Sequence, residues 1–182
     1  MSGPGSLQWQ PVSPSAELVA AVVAQALSSW SRAADVRVAP IEADFADTAA
    51  FCERYGVAMD DSANCVVIAG RRAERTSYAA CVVLATTRAD VNGYVRRRLD
   101  ARKASFAAMQ DAVEATAMEF GGITPIGLPA QWPVLVDAAV LQRDVVVIGS
   151  GLRASKLALP SAALADLPGV EIVDGLASKS GS

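Results

Sequence analysis

The chain of 182 residues contains no histidine. This absence excludes nucleophilic mechanisms of the Ser-His-Asp and Cys-His kinds. Cysteine is scarce as well, since Cys52, Cys65 and Cys81 are the only three and show no CxxC spacing. Three scattered cysteines argue against almost every zinc site, and we read them as reduced, mostly buried thiols. We therefore expect no metal and no cofactor, and a chemistry based on carboxylates, lysines, hydroxyls, backbone dipoles or the substrate itself.

The sequence also lacks a long hydrophobic run. The longest candidate, AELVAAVVAQAL at residues 16–27, is shorter than the roughly 18–20 residues that cross a bilayer. No basic segment precedes it, which argues against a secretory signal. Apolar residues make up 52% of the chain and charged residues 19%, a composition typical of a globular protein. We expect a cytoplasmic protein without a membrane partner.

Strand-like and helix-like segments interleave without a strict repeat. We predict helices over residues 16–31 (capped by Ser15), 48–57, 89–101, 109–120 and 161–167, and strands over 35–43, 64–70, 77–86, 133–140, 143–151 and 155–160. The segment GVEIVDGL, residues 169–176, follows the last helix. This order predicts an α/β or α+β fold, with a mixed, largely antiparallel central sheet flanked by helices. The length fits one main domain, 41–177, preceded by an N-terminal arm and extra helix, 1–40, and followed by a polar tail, 178–182.

One loop is unusually rich in glycine and proline, the residues with special backbone conformations. The stretch GGITPIGLP, residues 121–129, contains three glycines and two prolines. Glycine lets backbone N–H groups approach a ligand closely, and proline fixes the loop so that these donors are positioned in advance. The loop is therefore a candidate ligand-binding segment, and a plain connection between a helix and a strand is the alternative.

A second glycine pair follows an apolar strand. The run VVVIGSGLRA fits the dinucleotide-binding pattern G-x-G-x-x-A from Gly149 onward. Only about 30 residues follow the pattern, and Pro160 interrupts any long phosphate-binding helix. We interpret this segment as a tight turn.

Positive charge is concentrated in one region, although the net charge is −3. Residues 71–103 contain nine basic and three acidic residues. A patch of this kind contacts phosphates in nucleic-acid-binding proteins, and a solvated hairpin and helix face are the alternative.

Several segments in this order resemble a known family. They are DTAAFCERYGV, the pair SANCVVIAG and AACVVLATTRADVN, AVEATAMEFGGITPIGLP, PVLVDAAV and VVIGSGLRASKLAL. Together they are similar to the YbaK/prolyl-tRNA-synthetase-associated editing domain. The resemblance implies a trans-acting deacylase that hydrolyses the ester of mischarged aminoacyl-tRNA, with tRNA for proline as the expected type. It implies the acceptor end of aminoacyl-tRNA as partner, with an aminoacyl-tRNA synthetase as a second one.

The resemblance also implies a site. The family carries a G-x-x-x-P loop lining the substrate pocket, which Gly121, Gly122, Ile123, Thr124 and Pro125 match. Asp137 and the turn Gly149, Ser150 and Gly151 would border the same pocket. Asp137 would bind the substrate's α-ammonium group, and capping of a turn at the end of a strand is its alternative role.

The sequence departs from the family at one position. Many members have a lysine at the start of the strand after the first helix, where this chain has Asn64. An asparagine amide carries no charge, but it can hydrogen-bond a carbonyl or the terminal ribose. Strand alternation places Asn64, Val66 and Ile68 on one face, with Cys65 and Val67 on the other.

These residues predict an editing hydrolase with Asn64 and the 121–125 loop at its catalytic site. The acceptor stem would contact five arginines: Arg71, Arg72, Arg75, Arg97 and Arg98. A non-catalytic relative that binds aminoacyl-tRNA or a synthetase is the first alternative, because the usual lysine is missing. A small-molecule binding module is the second alternative.

Overall fold

The computed structural model describes residues 3–12 and 17–179. The α-helices in this part are α1 (Ala21–Ser29), α2 (Thr48–Tyr55), α3 (Arg96–Arg98) and α4 (Met109–Thr116). The strands are β1 (Gln10–Pro11), β2 (Arg37–Pro40), β3 (Ala63–Arg72), β4 (Arg75–Leu84), β5 (Thr87–Ala89), β6 (Lys103–Phe106), β7 (Val134–Asp137), β8 (Val145–Gly149), β9 (Ser155–Pro160), β10 (Val170–Val173) and β11 (Ala177–Lys179).

Two main sheets form the framework. One has the strand order β1-β2-β9-β8 and is antiparallel throughout. The other has the order β10-β7-β4-β3-β6, in which β7 pairs in parallel with both β4 and β10. A short antiparallel ladder joins β5 to β11. The predicted mixed, largely antiparallel α/β class is confirmed.

The hairpin β3–β4 is the longest ladder of the fold. Its register runs from Ala63 opposite Leu84 to Arg72 opposite Arg75. The predicted strands at 64–70 and 77–86 are found, but the charged segment RRAER lies mostly within the strand ends. The turn is reduced to two residues and places Ala73 at a positive φ of 53°. Two-residue hairpin turns require such backbone angles because they match the twist of the strands.

The described residues before residue 41 pack into the same core as the residues that follow them. Helix α1 is shorter than the predicted 16–31 and has Ala20 at its N-cap position. The predicted cap, Ser15, lies outside the described residues. Val23 and Leu27 of α1 belong to the largest apolar cluster, and β2 pairs with β9 across the first sheet. The N-terminal segment therefore closes one edge of this sheet.

Two predicted helices differ in helix type from the expected α-helix. The stretch 89–101 forms a π-helical turn, Val91–Val95, before α3. The carboxylate of Asp90 accepts hydrogen bonds from the backbone N–H groups of Gly93 and Tyr94 and so opens this turn. The segment predicted as a final helix is a 3-10 helix, Ser161–Asp166. No described helix combines the length and apolarity needed to cross a bilayer.

Candidate active site

A cavity of about 310 Å³ lies between the two main sheets and the glycine-proline loop. Residues 46–48 at the start of α2 and residues 63–67 of β3 form one side of it. Gly121 and Ile123 of the loop form another, and Gly149 and Lys156 close it from the first sheet. Strand β6 pairs with β3 only from Ile68 onward. The first residues of β3 thus keep a strand edge that faces the cavity.

Asn64 is held at this edge by one neighbour. The hydroxyl group of Thr48 donates a hydrogen bond of 2.6 Å to the Asn64 side-chain oxygen. The Asn64 amide nitrogen makes no hydrogen bond to the described residues, so its two hydrogens remain for a ligand. Further along β3, Val66 packs against the apolar cluster that contains Ile68, as strand alternation predicts. Of Asn64, Val66 and Ile68, only Asn64 is polar, and it lines the cavity.

The glycine-proline loop is divided between cavity and core. Gly121 adopts a positive φ of 88° and lines the cavity with Ile123, while Thr124 and Pro125 are buried behind them. The Gly122 N–H donates to the Glu119 carbonyl at 2.9 Å. The Thr124 N–H faces the Met118 sulfur at 3.5 Å. The N–H groups of Gly121 and Ile123 have no such partner in the described residues and can serve a ligand.

The loop and the turn after β8 contact each other through backbone atoms. The Gly151 N–H donates to the Gly122 carbonyl at 2.7 Å. A Cβ at Gly149 would lie 2.6 Å from the Ile123 carbonyl oxygen and closer still to that of Gly122. Only glycine at 149 permits this approach, which fixes the position of the loop against the first sheet.

Lys156 is the site residue that the sequence analysis missed. It lies in the middle of the first sheet, opposite Ala39 of β2 and Gly149 of β8. Its side chain is 7% exposed, and its ammonium group donates a hydrogen bond of 2.8 Å to the Ala46 carbonyl. Burial lowers the pKa of Lys156 from its ordinary 10.5 to about 8. The signal available in the sequence was a lysine within the apolar strand SKLALP, because lysine is almost never buried without a reason.

A thiol also lines the cavity. Cys65 follows Asn64 on β3, and burial raises the pKa of its thiol far above the ordinary value. The thiolate is the nucleophilic form of cysteine. Cys65 therefore contributes an apolar surface to the cavity rather than a nucleophile.

The mouth of the cavity carries exposed aromatic rings. Phe106, at the end of β6, is 62% exposed, and Phe120, just before the loop, is 48% exposed. Both rings line the cavity, and Met109 adds a further exposed apolar side chain at the start of the neighbouring helix α4. Exposed aromatic rings beside a cavity are suited to stacking against a planar ligand group.

Three predicted substrate-binding residues lie outside the cavity lining. Asp137 is buried and accepts hydrogen bonds from the backbone N–H groups of Ala139 and Ala177, which use both of its oxygens. Asp137 therefore makes the turn-capping contacts that the sequence left as its alternative. The Ser150 hydroxyl pairs with that of Ser155 at 2.6 Å. Gly151 packs against α1, where a Cβ would meet Ala20. Of that turn, only Gly149 reaches the cavity.

The five predicted tRNA-binding arginines are exposed, but they do not form one uniform patch. Arg72 and Arg75 both contact the Asp100 carboxylate, and Arg98 makes a two-pronged ion pair with Glu171. Arg71 and Arg97 form no salt bridge with the described residues. The hairpin end at Arg71 lies seven residues along β3 from Asn64, roughly 23 Å at strand spacing. It is therefore separate from the cavity, although the same strand connects the two.

Structural comparison finds proteins of the same fold. A crystal structure described as that of a candidate trans-editing enzyme for prolyl tRNA synthetase superposes with a TM-score of 0.73 at 20% identity, covering 89% of this chain and 97% of that one. The structure of the hypothetical protein APE2540 superposes with a TM-score of 0.73 at 18% sequence identity, covering 86% of this chain and 99% of that one. The structure of a candidate signal transduction protein from Marinobacter aquaeolei superposes with a TM-score of 0.55 at 18% sequence identity, covering 87% of this chain and 30% of that protein. These likenesses establish the fold.

Sequence comparison identifies the family. Curated proteins give no match to the chain. Residues 42–167 match the family model of the aminoacyl-tRNA editing domain. This range contains α2, the loop, Asn64 and Lys156, and so includes all the elements that form the cavity. The chain belongs to the aminoacyl-tRNA editing domain family.

Proposed function

We propose that this protein hydrolyses the ester bond of mischarged aminoacyl-tRNA, with tRNA for proline carrying a wrong amino acid as the substrate. One observation carries the proposal: Asn64 and the glycine-proline loop, which are 57 residues apart in the chain, line the same cavity. The fold that this chain shares with a candidate trans-editing enzyme for prolyl tRNA synthetase supports the choice of tRNA.

The cavity offers hydrogen-bond donors to the ester. The uncommitted N–H groups of Gly121 and Ile123 are directed by a loop that contacts the first sheet through Gly122. The Asn64 amide adds a side-chain donor that Thr48 holds in place. Donors fixed in advance stabilise the negative charge that develops on a carbonyl oxygen during hydrolysis. In this proposal the loop and Asn64 orient the carbonyl group or the terminal ribose, and backbone groups and the free ribose hydroxyl position the attacking water.

The size of the cavity limits the acyl group. A volume of about 310 Å³ lies at the lower end of the range of small-molecule sites. The apolar lining from Val67, Ala112 and Ile123 leaves room for a short side chain. One methylene group in such a pocket changes binding by only about 1–3 kcal/mol. We therefore expect preference for small amino acids, graded by volume rather than absolute.

The surface around the cavity suits the end of a tRNA. Phe106 and Phe120 at the mouth can stack on the terminal base, because aromatic side chains bind single-stranded bases through their faces. The arginines near Arg71 lie roughly 23 Å along β3 and can meet phosphates of the acceptor stem. Arg71 and Arg97 are the stronger candidates for these contacts, because Arg72, Arg75 and Arg98 are already paired with acids.

A deacylation time course on a panel of mischarged tRNAs tests the proposal. The panel varies the amino acid on tRNA for proline and includes other tRNAs carrying the same amino acids. We expect fastest turnover for small amino acids on tRNA for proline. Asn64→Ala should lower kcat/KM by about 100-fold, the usual effect of losing one oxyanion donor. Asn92→Ala is the matched control, because Asn92 is exposed on the π-helical turn, away from the cavity.

Two results would contradict the proposal. Binding of every tested tRNA without turnover would favour a non-catalytic relative, for which the neutral residue at 64 is the physical reason. No tRNA binding at any salt concentration would instead favour a small-molecule site.

A further inference from the structure

The second notable feature of the cavity is a buried positive charge. Lys156 lies on the same face of β9 as Ala158, two residues further on, which belongs to the apolar cluster that contains Phe51 of α2. Its ammonium group lies 5.2 Å from the centre of the Phe51 ring and donates to the Ala46 carbonyl at 2.8 Å. An ammonium group has three hydrogens, and this is the single hydrogen bond that the ammonium group of Lys156 makes with the described residues. Two donors are therefore uncommitted at the cavity wall.

The charged groups around Lys156 do not neutralise it. Asp47, at the start of α2, and Cys52, one turn further on, favour its protonated form, whereas Arg153 opposes it. The Asp47 side chain makes no salt bridge with Lys156 and is exposed. The Cys65 thiol, which faces the same cavity from β3, stays neutral because burial raises its pKa. Burying a charge without a paired counter-charge is costly, so this position requires a reason other than stability.

The cavity supplies that reason. Among the described residues that line the cavity, Lys156 is the one cationic side chain, and Asn64, also in the lining, stands where the resemblance implies a lysine. A neutral amide orients a carbonyl group, but it cannot balance the full negative charge of a tetrahedral intermediate. A cation that is itself buried stabilises such a charge more strongly than a cation in solution does.

We propose that Lys156 is a catalytic residue of the deacylation, and that its ammonium group donates a hydrogen bond to the ester carbonyl oxygen and stabilises the oxyanion. This inference rests on the function proposed above. In the reaction the water oxygen forms a bond to the carbonyl carbon while the carbonyl electrons move onto the oxygen held by Lys156. The bond from that carbon to the ribose oxygen then breaks, the ribose oxygen takes a proton, and the amino-acid carboxyl group releases one to solvent.

The physical state of Lys156 fits this role. Burial lowers its pKa to about 8, which leaves the group mostly protonated at neutral pH. The donor is therefore present in the form that stabilises an anion. The adjacent Gly149 has no side chain, so the lysine side chain reaches the cavity without obstruction from the neighbouring strand.

Kinetics of Lys156→Met test the inference, with the substrate that the wild-type protein hydrolyses fastest. Methionine keeps most of the length and apolar volume but removes the charge and the donors. We expect kcat to fall roughly 100-fold, with KM within about threefold of the wild-type value. Lys179→Met is the matched control, because Lys179 is exposed on β11 outside the cavity, and it should keep wild-type kinetics. A folded Lys156→Met protein that retains more than a third of the wild-type kcat would overturn the inference and leave the deacylase proposal intact. A wild-type protein without turnover on the whole panel would overturn both.

A second measurement does not depend on the folding of a variant. The sequence contains only three lysines, at 103, 156 and 179, so ¹³C labelling of lysine gives three assignable side-chain signals. The probe is an aminoacyl-adenosine with an amide in place of the ester, which binds but is not hydrolysed. Saturation with this probe should shift the Lys156 signal and leave that of Lys179 in place. Saturation that leaves the Lys156 signal unmoved would show that the ammonium group does not touch the acyl end.

Discussion

Replacing Lys156 with methionine should make the folded protein more stable at neutral pH. The reason is the same burial that makes the charge useful in the cavity. The folded-state pKa of Lys156 is about 8, below its ordinary value of 10.5. Between these two pH values the unfolded chain holds one more proton than the folded chain. The free energy of unfolding of the wild-type protein therefore increases as pH rises through this window. Below pH 8 the charged Lys156 lowers this free energy by its full amount.

The structure sets the size of this effect. A difference of 2.5 pKa units corresponds to about 3 kcal/mol at 1.36 kcal/mol per unit. Methionine removes this cost but also leaves the Ala46 carbonyl without its donor, which offsets about 1 kcal/mol. We expect Lys156→Met to be about 2 kcal/mol more stable than the wild-type protein at pH 7. By pH 10.5 the wild-type protein should have gained about 3 kcal/mol relative to the variant.

Urea denaturation of both proteins from pH 7 to pH 10.5 measures this effect. The difference between the two unfolding free energies is the informative quantity, since the thiols of Cys65 and Cys81 titrate in both proteins and their contributions cancel. A difference that stays constant across this range would refute the argument, because it would mean that Lys156 has the same pKa in the folded and unfolded chains. A variant less stable than the wild-type protein at pH 7 would show that the ammonium group stabilises the fold.

Three further results are expected. Gly149→Ala should lower the free energy of unfolding measured in urea by about 2–4 kcal/mol, because the added Cβ overlaps two loop carbonyls, and displacement of the loop should lower kcat/KM about 100-fold. Gly56→Ala is the control, because Gly56 has open space around it and a φ of 68°. It should lower the free energy of unfolding by only about 1 kcal/mol and leave turnover unchanged. Phe120→Ala should raise KM for aminoacyl-tRNA roughly tenfold at constant kcat, since one stacked base contributes about 1–3 kcal/mol, and an unchanged KM would remove Phe120 from the binding surface. Arg71→Ala should reduce the slope of log Kd against log salt by about one in tRNA-binding titrations, and an unaltered slope would show that this arginine contacts no phosphate.

The predictable part of the fold is the part set by local pattern. The hairpin β3–β4 could be predicted because two apolar runs flank a short charged segment. The helix expected over 161–167 forms as a six-residue 3-10 helix directly after Pro160, a choice between helix types that hydrophobic periodicity does not decide. The start of the helix expected over 89–101 depends on Asp90, whose carboxylate bonds two backbone N–H groups in a π-helical turn. Such capping geometry is a tertiary detail that hydrophobic periodicity does not contain.

The backbone of the candidate site left a partial signal in the sequence. Glycine at 121 predicted close backbone approach in the loop, and Gly121 lines the cavity; Gly149, whose pattern indicated only a tight turn, lines it as well. Asp137 shows the limit of that reasoning, because a carboxylate at the end of a strand has the same sequence signature whether it binds a ligand or caps a turn. Lys156 was hidden for a different reason. Its strand pairs with β2 and β8, and only this pairing brings its side chain under α2.

The positions of Asn64 and Lys156 are physically linked. Both line one cavity of about 310 Å³, and two ammonium groups in so small a space would repel each other strongly, because the interior screens charge less than water does. A single cation avoids this repulsion. It also leaves the second position free for a neutral donor that can hydrogen-bond oxygen atoms without a further cost of burying charge. A neutral asparagine at 64 is thus physically compatible with the proposal that Lys156, which enters from β9, supplies the positive charge of the site.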